Sequence, residues 1–498
     1  MNTDQNIKSR FIRGAGLMLT SKLAERGLGL ISTLILARLL LPADFGLVAM
    51  AAPVVALVEL LGALGMDSAL IQRPDLKRSH LDTAFTIGLI VATAIALSLW
   101  LVAPFAAAYF REPRLEAIIS WLALGNLIQG FGNPGFVLFR KEINMAPEVI
   151  LLVAKKLTSL VVATVAAILI GNYWALVWGT LLSRIVGVGL SYAMTPFRPR
   201  LSLSERREVL GFSAWMLVVQ LLYYLQLRAN DLIIGRLMGA SQLAYFIISI
   251  DLAASAPGEA MVAISRAAFP TFAKLSGDTQ RLRMGLRNIL SGVAILALPA
   301  GFGIAAVAEL LVQVLLGERW MPAAEIVASL AISCAVLGIL SQVSYVYMAL
   351  GRPRVAAAVS ALSVVALVGT SIAAIPTMGL KGVNIAYPAM AATVTFGHFV
   401  MLRQMLPEFR VSDWVAAFWR PLASAGLMLT VLKFIAQWMG PVQGSAAGIF
   451  PLTLLIAIGV AIYFCGLITL WRLSGSPDGP EAMAWTKLQS MLGNRFAK

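Results

Sequence analysis

The chain reads as long apolar runs separated by short polar breaks. The runs fall at about 15–38, 44–66, 82–108, 115–136, 147–169, 172–195, 208–236, 241–268, 286–308, 323–349, 353–375, 381–405, 414–437 and 447–471. Each is close to the ~20 residues a helix needs to cross a bilayer. None shows the ~10-residue alternation of a membrane β-barrel. The pattern predicts an all-α, polytopic membrane protein with about fourteen transmembrane helices.

The first break is LILARLLLPADFGL, Leu34 to Leu47. It predicts a helix exit, a turn and a helix entry, with Asp44 as N-cap. A related string returns at Leu232 to Tyr245. With Arg38 set against Arg236, Leu34, Ile35 and Leu39 match Leu232, Ile233 and Leu237. An internal repeat of this kind points to two related halves. Each half holds six spans, an even number, so the halves enter the membrane from the same side and are parallel repeats. The expected organisation is a six-helix lobe at 1–195, a cytoplasmic loop at 196–207 and a second six-helix lobe at 208–405. Two extra helices follow at 406–472 and a cytoplasmic tail at 473–498. Paired lobes are the usual hardware of alternating access.

Composition agrees with this reading. The 498 residues are 59% hydrophobic and 13% charged, against about 25% charged in soluble domains. The apolar run behind Lys8, Arg10 and Arg13 is too long for a signal peptide, so a retained first helix is expected. With the N-terminus in the cytoplasm, the Lys/Arg-rich segments fall inside, among them Arg73–Arg78, Arg198–Arg207 and Lys274–Arg287. Outside loops hold only Arg38, Arg111, Arg114, Arg236, Arg319 and Lys381. This alternation predicts a multi-pass membrane protein with both termini cytoplasmic. Topology and anionic membrane lipid account for the net charge of +15, and nucleic acid is not required as a partner. The tail carries an amphipathic stretch, AMAWTKLQSML, expected on the membrane surface.

Cys334 and Cys465 lie in apolar runs, with no disulfide framework or metal spacing. His80 and His398 fit no catalytic pattern, and no Walker A, G-x-S-x-G or H-E-x-x-H string is present. Neither an enzyme nor a cofactor or metal is expected.

The candidate chemistry lies in charges inside the spans. Each costs roughly 2.5–3.5 kcal/mol even on the lenient insertion scale, so such groups pair or face a wet cavity. The cations are Lys22, Arg26, Lys155, Lys156, Arg184, Arg228, Arg266, Arg420 and Lys433. The clearest acids are Glu25, Glu59, Asp231, Asp251 and Glu259. Lys22 and Arg26 share a helical face, and Arg228 and Asp231 are spaced to pair locally. Arg184 is near mid-span. GNLIQGFGNPGF, Gly125 to Phe136, breaks the fourth span and offers Asn126 and Asn133 to a polar ligand. A basic balance attracts an anion. The expected substrate set is Lys22, Arg26, Arg184, Lys155, Lys156, Asn126 and Asn133, with Glu59 and Asp251 for ion coupling. Structural ion pairs and lysines snorkelling to an interface are the alternatives.

Three strings carry a resemblance: ARLLLPADFGLVAMA from Ala37, GMDSALIQRPDLKRSHLDTAFTI from Gly65 and AAAYFREPRL from Ala106. They resemble bacterial polysaccharide exporters and flippases of the Wzx and colanic-acid-exporter type, in the multidrug/oligosaccharidyl-lipid/polysaccharide superfamily. The resemblance is dense over about residues 10–150 and weaker to about 410. It implies a fourteen-span protein of two six-helix lobes. It also implies a flippase that moves undecaprenyl-diphosphate-linked oligosaccharide, a polysaccharide or lipopolysaccharide precursor, to the periplasmic face. Membrane lipids, a glycan polymerase or assembly protein and an H⁺ or Na⁺ gradient are the implied partners. A cation-coupled multidrug antiporter of the same superfamily is the alternative, though it would need acids to dominate its cavity. A membrane-embedded glycan-synthesis enzyme is a weaker one, because the outside loops are short.

Overall fold

The computed structural model describes residues 2–62, 66, 70, 71, 73, 75–206, 214–439, 447–483, 485, 486 and 489. The side chains of Lys8, Arg10, Arg13, Glu259 and Arg266 lie outside the described residues, as do Arg207 and most of the tail after Thr486. Among the described residues every regular element is helical. The helices are α1 (Asn2–Leu39), α2 (Pro42–Leu61), α3 (Arg78–Phe110), α4 (Arg114–Gly130), α5 (Val137–Lys141), α6 (Ala146–Ile170), α7 (Trp174–Met194) and α8 (Ala214–Met238). They continue as α9 (Ala240–Leu275), α10 (Thr279–Leu315), α11 (Ala324–Ala349), α12 (Pro353–Met378), α13 (Val383–Met405), α14 (Val411–Met439) and α15 (Ile449–Leu473).

Each expected span coincides with a helix, but hydropathy alone does not return fourteen crossings. Among the described residues nine segments are long and apolar enough to cross a membrane, or ten if a bent pair counts as one span. One of the nine, Pro353–Met405, contains two expected spans. Missing from the set are α1, α8 and α9. These helices carry Lys22, Glu25, Arg26, Arg228, Asp231 and Asp251, and each charge lowers local hydropathy.

The chain forms two compact units. One comprises residues 1–224 with 234–244, the other 225–233 with 245–498. The segment expected to link the lobes lies along α3 in the first unit. Asp82 Oδ1 accepts from the Arg200 amide at 2.7 Å, and Thr86 Oγ1 accepts from the Ser202 amide at 2.8 Å. Helices α14 and α15 belong to the second unit.

The first turn corrects one expectation. Leu41 is the N-cap of α2, and Asp44 sits at its third position, behind Pro42. Pro42 suits a helix start because its missing N–H would be unpaired there anyway. Asp44 reaches back, with Oδ2 accepting from the Leu41 amide at 3.1 Å. Its Oδ1 accepts from the Tyr173 amide, also at 3.1 Å, so one carboxylate serves the starts of α2 and α7. The matching turn in the repeat is a single residue, Gly239, at φ +82°. Only glycine takes that conformation without strain. In the first unit this turn packs closely: a Cβ on Gly46 would lie 1.8 Å from the Ala240 carbonyl oxygen. Arg236 lies over the Tyr109 ring at 5.5 Å.

Candidate functional site

The expected break in the fourth span is present. Helix α4 stops at Gly130, and the segment Pro134–Lys141 leaves it at 63°. Gly130 allows a close crossing, because a Cβ there would lie 2.3 Å from the Ala92 Cβ of α3. Asn133 caps the short turn that follows, its Oδ1 accepting from the Gly135 amide at 2.9 Å. Its Nδ2 donates to the Phe197 carbonyl at 2.8 Å.

This bend borders a cavity of about 570 Å³ in the first unit. Its polar lining is Glu59 from α2, Asn126 and Gln129 from α4, Asn133, Arg140 from α5 and Arg184 from α7. Arg184 Nη2 lies 3.3 Å from Glu59 Oε1, with side-chain exposures of 15% and 40%. Arg184 Nη1 is buried and meets no protein acceptor. Gly125 creates the space for this arm: a Cβ there would be 3.1 Å from Arg184 Cδ and 3.0 Å from Leu181 Cδ2. The guanidinium therefore borders a polar cavity with hydrogen-bonding capacity beyond what Glu59 uses. Arginine can present two parallel donors to phosphate.

The expected substrate residues divide into two groups. Asn126, Asn133 and Arg184 line the cavity together with Glu59, which was expected in ion coupling. The Asn133 side chain is occupied by its two structural bonds, and Asn126 Nδ2 turns to the Leu122 carbonyl at 3.4 Å. Lys22, Arg26, Lys155 and Lys156 are not in the lining. Lys155 on α6 lies within Coulombic reach of Arg184 and Glu25. Its stem fills the place of a side chain at Gly187 of α7, where a Cβ would be 2.9 Å from Lys155 Cδ. Lys156 turns to α1, with Nζ 3.4 Å from a Cβ built on Gly29. Glycine thus accompanies each of three intramembrane cations.

Arg140 and Gln129 were missed as lining residues. Arg140 reads as one more cytoplasmic loop charge, and only the bend brings it to the cavity. It is fixed by a bidentate contact to Glu148, with Nε and Nη2 donating at 3.0 and 2.7 Å.

In the second unit, Arg228 Nη1 and Asp231 Oδ2 form the expected local pair at 3.0 Å. Asp231 is buried, whereas Asp251 on α9 is exposed and within Coulombic reach of it. A cavity of about 1040 Å³ in this unit is lined by Glu309, Gln313, Glu318, Glu325, Lys433 and Gln437. Its acids outnumber its cations, whereas in the first cavity two arginines line the wall with one acid.

A helical bundle with charged groups held inside apolar spans is the hardware of a membrane transporter, and solved structures share this fold. The chain is similar to the structure described as "Lipid II flippase MurJ, inward closed conformation", with a TM-score of 0.73 at 13% identity. That match covers 92% of this chain and 99% of the other. An inward-facing multidrug resistance MATE family transporter gives a TM-score of 0.58 at 17% identity, covering 77% and 95%. The chain belongs to the polysaccharide biosynthesis protein family, whose sequence profile matches residues 35–325. Among curated proteins it is 22% identical to the lipopolysaccharide biosynthesis protein WzxC of Escherichia coli, over 84% of this chain and 85% of that one. It is 25% identical to the succinoglycan biosynthesis transport protein ExoT of Rhizobium meliloti, over 91% of both.

Proposed function

We propose that this protein is an inner-membrane flippase that carries a lipid-diphosphate-linked oligosaccharide from the cytoplasmic to the periplasmic face. Family membership, and relatives named for lipopolysaccharide biosynthesis and succinoglycan transport, support the glycan. The observation that carries the headgroup reading is Arg184, bordering a polar cavity with one buried nitrogen unmatched. A diphosphate can exchange with Glu59 for the guanidinium, and a small turn of the side chain brings the buried nitrogen to the same oxygens. Lys155 lies close enough to add to the positive field. On this reading Asn126, Gln129 and Arg140 contact the headgroup or its first sugar. Lys22, Arg26 and Lys156 act at a distance, through the field along α1 and α6. Both termini are cytoplasmic, and an ion gradient acts through Asp251 in the second unit.

The multidrug alternative needs an acid free to hold a cation. The one acid lining the first cavity, Glu59, is already matched by Arg184, so that alternative rests on the acid-rich cavity of the second unit. The test is transport in vesicles. Native protein should make a labelled lipid-diphosphate oligosaccharide accessible to an enzyme on the opposite face. Cation-driven drug efflux with no movement of the glycolipid would replace this reading by the alternative.

A further inference from the structure

Most of the tail expected on the membrane surface lies outside the described residues, but the chain just after α15 is described. After Leu473 the chain turns sharply, with Gly475 at φ +80° and Ser476 at φ +52°. Ser476 therefore holds a left-handed conformation that residues other than glycine seldom adopt. The chain then folds back over its own unit. Trp471 Nε1 donates to the Pro477 carbonyl at 3.1 Å. Arg472 lies over the Trp485 ring at 4.9 Å. Pro480 occupies the space beside Gly292 of α10, where a Cβ would find its ring at 3.8 Å. Glu481 meets Arg420 of α14 at 3.1 Å, with side-chain exposures of only 5% and 9%.

This ion pair is buried but not well satisfied by protein. Neither Glu481 oxygen receives an aligned hydrogen bond from a protein group, and Arg420 Nε meets no protein acceptor. The hydroxyls of Ser291 on α10 and Ser424 on α14 are in the same condition. A cavity of about 130 Å³, bordered by Ser291, Arg420, Asp478 and Glu481, adjoins the pair. It is roomy and polar enough for water. A buried pair repays its desolvation only when its remaining lone pairs and protons are bonded. The cavity has room for water to replace the contact, and the strained turn favours opening.

We propose that residues 477–483 with Trp485 form a releasable strap across α10, α14 and α15, latched by Arg420 and Glu481, and that its opening sets how fast these helices rearrange. The three helices reach the strap through different contacts, so none can shift against the others while all contacts hold. The rate claim rests on the transport function proposed above. The latch itself does not.

Hydrogen exchange on the full-length protein in nanodiscs, without substrate, reads the latch. Glu481→Gln leaves a buried guanidinium unmatched and should raise amide exchange over 478–486 at least tenfold. The paired variant Arg420→Met with Glu481→Leu seals the contact with apolar groups and should lower it severalfold. Transport in vesicles should follow, slower for the sealed strap. Unchanged exchange in both variants would discard the latch. Altered exchange with native transport rates in both would make the strap a purely structural clamp. Exchange in the middle of α10 shows whether each variant folds. If Glu481→Gln unfolds the second unit, the sealed pair decides alone. Because exchange is read without substrate, a failed transport reading would leave the latch result standing.

Discussion

Each unit carries an arginine–carboxylate pair within its helices, and the two are built differently. Arg228 and Asp231 are neighbours on one turn of α8, with side-chain exposures of 42% and 4%. Arg184 and Glu59 come from α7 and α2 and meet only after the first unit has folded. The local pair enters the membrane as one package, because each charge is already beside its neutraliser. Its buried member is the acid, so it is an inward-facing structural device. The long-range pair exposes part of both partners to a cavity. It holds two helices together, yet water or an anion can reach it. Chemistry that looks alike in a residue list thus does different work according to where the partner comes from.

The sharpest way to break the comparison is Arg184→Ala. If the long-range pair serves substrate, vesicle transport should fall about 100-fold, in line with ~2–5 kcal/mol for truncating one partner of a desolvated charge contact. Protein abundance in the membrane should stay near native, because Glu59 retains access to water. Arg184→Lys should recover part of the rate, since a point charge still meets phosphate without the bidentate fork. Native transport by Arg184→Ala would move this pair into the structural category of Arg228 and Asp231.

The second effect should be large in stability and small in substrate handling. Arg228→Ala leaves the Asp231 carboxylate buried without its partner, and with Arg228 42% exposed the defect should fall below the ~3–5 kcal/mol of a fully buried pair. The expected result is a clear drop in unfolding temperature in detergent, with substrate affinity of the folded fraction unchanged. Loss of affinity at native stability would reverse the assignment of the two pairs.

The sequence made the local pair legible because i,i+3 spacing on a helix is sufficient to place two side chains together. The fold class was legible for a similar reason: apolar run length and Lys/Arg bias act locally. The break at Gly125–Phe136 was also readable, because Gly, Asn and Pro weaken a helix wherever it packs. Partner choice over long range was not readable. Nothing local distinguishes Arg184, which meets Glu59 at a cavity, from Lys156, which turns to α1. Arg140 looked like a loop charge until the bend carried it to the cavity. Asp44 reads in the sequence as a cap at the helix start, whereas Pro42 sets that start two residues earlier and lets the carboxylate serve α7 as well. One signal does lie in the sequence: glycines opposite the cations, at Gly29, Gly125 and Gly187, mark where long charged side chains need room.

That signal gives a finer test of the long-range pair. Gly125→Ala places a methyl group 3.1 Å from Arg184 Cδ and 3.0 Å from Leu181 Cδ2. The arm is flexible enough to yield, so the strain should stay near the lower end of the ~1–3 kcal/mol typical of overpacking. The displaced guanidinium should raise the half-saturating substrate concentration about fivefold, with the maximal rate and unfolding temperature near native. A fall in unfolding temperature with unchanged half-saturation would mean that Gly125 serves packing alone.

The smallest expected effect comes from another arginine–carboxylate pair, one facing solvent between α3 and α4. Arg114 Nε and Nη2 donate to the two Glu112 oxygens at 2.7 and 2.9 Å. The Arg114 side-chain hydrogen bond holds the Glu112 carboxyl below its ordinary value, against partial burial, which pushes it up. A carboxyl depressed in the folded state adds stability above its unfolded value, about 4.3, and loses it as pH falls through the folded one. Arg114 is exposed, so the pair should contribute less than ~1 kcal/mol and weaken in salt. The native protein should therefore unfold slightly above Arg114→Ala at pH 7, and the gap should close on acidification through pH 4 and below. A gap that widened toward acid would mean that Arg114 acts through a partner other than Glu112. A gap as large as that of Arg228→Ala would mean that exposure does not separate the surface pair from the one buried in α8.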